Sequence, residues 1–343
     1  MTIILVFIAK KIVQVFNRIG KFGRFGYKYD ALIVGNLDYM TVCQKSLIER
    51  LDSEKISNHF IYRVEKDAFL AKLIAYARCA YYIAKARNII VFDYCFPVYC
   101  IKKNNNQKVY QLWHANGAFK RFGLPNFIEN HGEKLANKLY KLVPIHSNYD
   151  YIFVSNEQSM PYYMQAFNDF SREKYFFSNN IFLDMMIESN EKNPHIKAKN
   201  EINIILAPTY NYNPQKNIYE QLSEHIEEEA NKLGIKANII YLLHPKLAKN
   251  YDKIGIMISS DVLVTDYSSV CFEAAGIGKD VAFLRSDESL DVFTEVAKKA
   301  YYNPKELAID ILEGCLINNE LTEQLAKNGE KQVDIIIRLI KKL

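Results

Sequence analysis

Apolar and polar positions alternate with helical spacing from the start of the chain. At about 100° per residue, Lys10, Lys11, Gln14, Asn17, Arg18 and Lys21 share one polar arc, and Ile3, Ile4, Phe7, Ile8, Ile12, Val15, Phe16 and Ile19 fill the rest. The unbroken apolar run over 3–9 is far shorter than the ~20 residues a membrane-spanning helix needs. Its cations follow the run instead of preceding it, which is the wrong order for a secretory signal. A basic amphipathic segment over 1–28 therefore predicts a helix lying in a lipid interface. The same periodicity also suits a helix packed on the protein or on another chain. Gly20, Gly23 and Gly26 are expected to break it.

Beyond Asp30 short apolar strands alternate with amphipathic stretches. ALIVG (31–35), NHFIYRV (58–64), NIIVFD (88–93), VYQLWH (109–114) and YIFVS (151–155) read as strands, with helices near 39–51, 67–77 and 132–142. Continuous apolar strands of this kind belong to a parallel sheet covered on both faces. Residues 188–201 are polar, non-periodic and contain Pro194, and read as a linker. A second series follows: INIILAP (202–208), a helix near 216–233, NIIYLLHP (238–245), DVLVTD (261–266), a helix near 269–277 and DVAFL (280–284). The expected organisation is an α/β domain over 29–187, the linker, a second α/β domain over 202–318 and a helical C-terminal segment over 319–343. Two doubly wound, Rossmann-like domains with a cleft between them bind ligands at the carboxyl ends of their strands.

Composition changes this picture only locally. Hydrophobic residues make up 49 % and charged residues 24 %, ordinary for a globular protein. Net charge is +5, but six basic residues precede the first acid, Asp30, and leave about −1 for the remainder. A nucleic-acid-binding face is not expected; the basic segment suits an anionic membrane surface. Six cysteines lack C-x-x-C spacing and sit mostly in apolar segments, as expected of reduced thiols in a cytosolic protein without structural zinc.

Candidate chemistry gathers at strand ends: Trp113-His114-Ala115-Asn116-Gly117, Pro208-Thr209, His244-Pro245 and Thr265-Asp266-Tyr267-Ser268-Ser269. A lone strand-end histidine is often a hydrogen-bonding plug, but one in each series, at equivalent places, points to chemistry. The serines open the helix that carries Glu273, where backbone N–H groups and the helix dipole favour phosphate, although Ser268 or Ser269 also suits a plain N-cap. Neither a P-loop nor a G-x-G-x-x-G fingerprint in the right context is present. Asp266 lacks a D-x-D partner, so no protein-held metal and no tightly bound cofactor are expected.

Four stretches in order, QLWHANGAFKRFG (111–123), ILAPTY (205–210), LHPKL (243–247) and SDVLVTDYSSVCFEAA (260–275), resemble the CDP-glycerol glycerophosphotransferase family, which includes teichoic-acid primases and polymerases. Glu273 stands where that family usually has Asp. The resemblance implies a GT-B-type fold and attack of an acceptor hydroxyl on the β-phosphorus of a CDP-alcohol, with CMP leaving. His114 becomes the general base and His244 the group that hydrogen-bonds or protonates the pyrophosphate, helped by Pro208, Thr209, Thr265, Asp266, Ser268, Ser269 and Glu273 around the donor. Trp113, Asn116, Gly117 and Lys120 are candidate acceptor or phosphate contacts, Lys120 equally suiting a solvated role. The implied acceptor is a lipid-linked saccharide or polyol phosphate at the cytoplasmic face of a bacterial membrane, in teichoic-acid-like or capsular polymer synthesis. A GT-B glycosyltransferase using a nucleotide sugar, and a non-catalytic membrane scaffold, remain open alternatives.

Overall fold

The computed structural model describes residues 3–22, 26–35, 41–62, 68–118, 121–209, 215–242, 252–266, 268–285, 299–317, 321–325 and 329–342. His244, Lys120 and Tyr267 lie outside these residues. Within them the chain divides into two units. The first contains 1–115, 122–182 and 326–343, and the second 116–121 and 183–325.

In the first unit a helix α1 (Ile3–Lys21) precedes β1 (Tyr29–Gly35), α2 (Thr41–Ser53), β2 (Asn58–Tyr62), α3 (Phe69–Ile83), β3 (Ala86–Val91), the short α4 (Phe96–Cys100) and β4 (Lys108–Gln111). Then come α5 (Gly123–His131), α6 (Glu133–Leu142), β5 (Tyr151–Val154), α7 (Met160–Phe167) and β6 (Tyr175–Phe177). The strands form one sheet in the order β2-β1-β3-β4-β5-β6, every pair parallel. Ala31, Leu32 and Ile33 of β1 and Ile89 and Ile90 of β3 are fully buried, so both faces of the sheet are covered. Such strands carry no alternation because neither face meets water.

The second unit repeats this grammar. Helix α8 (Ile181–Lys192) leads to β7 (Glu201–Ala207), α9 (Gln215–Leu233), β8 (Lys236–Tyr241), α10 (Lys253–Ser259), β9 (Val262–Thr265), α11 (Val270–Gly276), β10 (Asp280–Phe283) and α12 (Pro304–Glu313). Its parallel sheet runs β8-β7-β9-β10. Ile202, Ile204 and Leu206, alternate residues of β7, pack with Tyr219, Leu222 and Ile226 of α9 and with Leu307 and Ile311 of α12. In both sheets the first strand sits inside, with its successor on one side and the third strand on the other. The strand order therefore reverses between β1 and β3 and between β7 and β9, where open α/β sheets take ligands.

Several expected boundaries move. α8 continues through Lys192, so the stretch without regular structure begins at 193 and not at 188. The C-terminal segment holds a 3-10 turn (Leu321–Gln324) and then α13 (Gln332–Lys341). That last helix belongs to the first unit: Arg50 pairs with Asp334 at 3.3 Å, Lys341 with Glu54 at 2.5 Å, and Gln332 donates to Ser178 Oγ at 3.3 Å.

Helix α1 packs on its own unit through part of its polar arc. Four of its arc residues turn inward, where Lys10 Nζ donates to Leu142 O (2.7 Å), Gln14 Nε2 to Cys100 O (3.3 Å), Asn17 Nδ2 to Ala80 O (3.1 Å) and Lys21 Nζ to Lys102 O (2.9 Å). Leu142 and Cys100 end α6 and α4, and the last carbonyls of a helix have no partner within it. The polar side chains of α1 supply those partners. Gly20 does not break the helix either: a Cβ there would lie 2.6 Å from Tyr81 O and 2.7 Å from Ala84 Cβ, so its absence lets α1 close onto α3. Ile4 (70 % exposed), Phe7, Val15, Phe16 and Ile19 are left facing outward. Among the described residues no helix is long and apolar enough to cross a membrane. None of the described cysteines forms a disulfide, and all except Cys315 are buried.

Candidate functional site

The first constellation is built at the ends of β3 and β4. The sequence predicted a strand through His114, but regular pairing stops at Gln111. Leu112 N still donates to Val91 O (2.9 Å), and then Trp113 takes the left-handed conformation (φ 56°) and turns His114 out of the strand direction. Gln111 holds this turn: its Oε1 accepts from Trp113 N (2.9 Å) while its Nε2 donates to Tyr149 Oη (2.8 Å). A left-handed non-glycine residue is costly and persists only where neighbours hold it. The imidazole of His114 remains half-exposed, lies 4.6 Å from the Trp113 ring centroid, and has Nδ1 3.8 Å from Asp93 Oδ1. Asp93 follows β3, and its Oδ1 also accepts from Tyr94 N (2.7 Å).

Below this turn lies an aromatic floor. Trp113 is only 4 % exposed and packs near Tyr94, Phe122, His146 and Phe167, so it supports the loop instead of offering a contact surface. Asn116 is likewise buried. His146 is stacked on Phe167 at 4.3 Å, with Nδ1 3.1 Å from Tyr149 Oη, and burial pushes its pKa down to about 3. Because the unfolded chain binds a proton near pH 6.5 and the native state does not until about 3, native stability should fall as pH drops across that window. The limiting slope is about 1.4 kcal/mol per pH unit. Urea unfolding between pH 7 and 4.5 is expected to show a steeper acid loss for the wild type than for His146→Asn. Equal slopes would assign the acid sensitivity to other groups.

The second constellation spans the strand-order reversal of the second sheet. Asp266, fully buried after β9, accepts from Thr209 N (3.1 and 3.2 Å to its two oxygens) and from Thr209 Oγ1 (2.6 Å) after β7. Thr265 Oγ1 donates to Ala207 O (2.7 Å), and Arg285 Nε to Asp266 O (3.3 Å). Thr265 and Asp266 therefore tie two strand ends together, while Pro208, Thr209, Ser268 and Ser269 are the partly exposed members of the set. Ser269 occupies the N-cap position of α11 without a side-chain capping bond, so the plain capping alternative is not realised there. Glu273, nearly buried in the first turn of α11, is paired with Lys253 Nζ at 2.6 Å. Gly117 groups with this unit; at φ 63° a Cβ would lie 2.5 Å from the Phe272 ring, so only glycine fits.

Sequence reasoning missed Asp93, Gln111, His146 and Lys253. Asp93 carried a readable signal, a carboxylate closing an apolar strand. The other three are defined by tertiary partners. Among the described residues no three His, Cys, Asp or Glu side chains converge as a metal site.

Residues 41–333 match the model of the CDP-Glycerol:Poly(glycerophosphate) glycerophosphotransferase family, and the chain belongs to that family. It is 29 % identical over 232 residues to a teichoic acid ribitol-phosphate primase of Bacillus spizizenii, covering 60 % of this chain and 59 % of the relative. To a teichoic acid glycerol-phosphate primase of Bacillus subtilis it is 27 % identical, covering 62 % and 59 %. The chain thus spans less than two thirds of these relatives' length. A variant of the wall teichoic acid polymerase TagF soaked with CDPG superposes with a TM-score of 0.64 at 16 % identity, covering 97 % of this chain and 93 % of that one. This likeness shows the fold, which is of GT-B type.

Proposed function

We propose that the protein transfers glycerol phosphate or ribitol phosphate from a CDP-alcohol to a hydroxyl of a teichoic-acid-type acceptor and releases CMP. The observation that carries this reading is His114, a partly exposed imidazole turned out of a strand end in a chain of this family. Its neutral form takes the proton of the attacking hydroxyl. The acceptor oxygen bonds to the β-phosphorus, the bond from that phosphorus to the bridging oxygen breaks, and CMP departs as a phosphodiester forms. In the second unit Ser268 and Ser269 offer hydroxyls where the pyrophosphate charge builds, Thr209 is held by Asp266, and His244 is assigned to the leaving group. Relatives named as primases support a short addition onto a lipid-linked acceptor, made at the cytoplasmic face of the membrane by a peripheral protein.

The test is nucleotide release. CMP is expected from CDP-glycerol or CDP-ribitol with a membrane acceptor, and no UDP or GDP from nucleotide sugars. Release of UDP or GDP instead would make the protein a glycosyltransferase, and no release from any donor would support a scaffold.

A further inference from the structure

The geometry points to Asp93 as a positioning residue that selects the tautomer of His114 and so leaves Nε2 as the basic nitrogen. The inference rests on the reading of His114 as general base and adds a residue to it. Three observations carry it. The carboxylate and the imidazole come from adjacent parallel strands: β3 and β4 pair with Val91 opposite Gln111, which brings the two residues that follow each strand to the same edge. Nδ1 of His114 is shielded from solvent and, among the described residues, has no hydrogen-bond partner; the acidic oxygen it faces is Asp93 Oδ1 at 3.8 Å. Asp93 is itself held, because Tyr94 N donates to that same Oδ1 at 2.7 Å and Gln111 Nε2 reaches Asp93 O at 3.4 Å.

A neutral imidazole carries one proton, on either nitrogen. A carboxylate accepts and does not donate, so a carboxylate facing Nδ1 favours the tautomer with the proton there. The lone pair then lies on Nε2, the nitrogen on the far side of the ring from Asp93. When Nε2 takes the acceptor's proton, the ring becomes cationic and the nearby carboxylate stabilises that charge in the transition state. The 3.8 Å separation is beyond hydrogen-bond length, and such contacts commonly shorten when substrate binds. Asp93 touches no reacting atom in this scheme, so it acts through His114 alone.

The tautomer is read from 15N shifts of histidine-labelled protein at the alkaline end of a pH titration followed in the same shifts. His114, assigned by the loss of its signals in His114→Ala, is expected to show a protonated Nδ1 and an unprotonated Nε2. Asp93→Asn keeps the shape and the acceptor for Tyr94 N while removing the charge, and is expected to lower kcat at least ~10-fold. Asp93→Ala is expected to lower it by ~10²-fold, within the range of general base catalysis. KM for the CDP-alcohol should stay within about twofold in both, since Asp93 has no part in donor binding here. A protonated Nε2 in the wild type overturns the inference even if both variants misfold, and so does unchanged kcat in two folded variants. Failure of the underlying reading looks different: His114→Ala would then retain turnover whatever Asp93 does.

Discussion

Replacing His114 with alanine is expected to lower turnover of a CDP-alcohol at least ~10²-fold while leaving the fold intact, within the ordinary contribution of a positioned general base. That loss corresponds to about 2.7 kcal/mol of transition-state stabilisation. The structure explains why the two effects separate. The imidazole is half-exposed, and the hydrogen bond that ties this residue to the unit runs from Asn180 Nδ2 to the His114 carbonyl (3.3 Å), which alanine keeps. The turn that presents the ring is fixed by Gln111 and Trp113, not by His114 itself. Saturating-donor kcat, measured beside a thermal melting curve, checks both halves. Near-normal turnover in a folded variant would remove His114 from the mechanism.

The strand cores were legible in the sequence because they are covered on both faces: the unbroken apolar runs within ALIVG, NIIVFD, INIILAP and DVLVTD each lie in a central strand. Strand ends were less legible, since they depend on single residues leaving extended geometry. Trp113 does so at φ 56°, and nothing in VYQLWH marks it. Strand β6 has three residues, too few to show a period. The stretch expected as one helix over 132–142 is the second of two helices that meet at Gly132, whose φ of 71° ends the first.

The site follows the same division. His114 announced itself as a histidine after an apolar strand, whereas its partner Asp93 passed as the polar close of a strand until β3 and β4 were placed side by side. Thr265 and Asp266 stood out as motif residues, yet their burial gives them an internal task, holding Thr209 in place across the sheet reversal. The Glu273 pairing with Lys253, 20 residues earlier, is a contact between elements that no local pattern encodes.

The protein is expected to bind vesicles of anionic lipid through the outward, apolar face of α1. In the fold Lys10, Gln14, Asn17 and Lys21 are spent on carbonyls of the first unit, and an apolar stripe of Ile4, Phe7, Val15, Phe16 and Ile19 is left at the surface beside the exposed Lys11 and Arg18. No acidic residue lies in α1 or in α3, the helix it packs on, so nothing on either helix repels an anionic surface. Deleting the whole segment is the wrong test, because Val6, Ala9 and Val13 are core residues of the unit. Ile4→Ser, Phe7→Ser and Phe16→Ser combined alter side chains that face outward and should leave the melting temperature nearly unchanged. Fully burying one such side chain is worth about 1.5–3 kcal/mol, so even partial insertion of three predicts a loss of at least ~10²-fold in vesicle partitioning. Lys11 and Arg18 add about 1 kcal/mol each near an anionic surface, a share that raised salt should remove as the Debye length falls from about 10 Å at 0.1 M to about 3 Å at 1 M. Co-sedimentation with anionic and zwitterionic vesicles at both salt concentrations measures these effects. If the triple variant sediments as well as the wild type, the stripe does not face lipid and α1 serves the first unit only as packing.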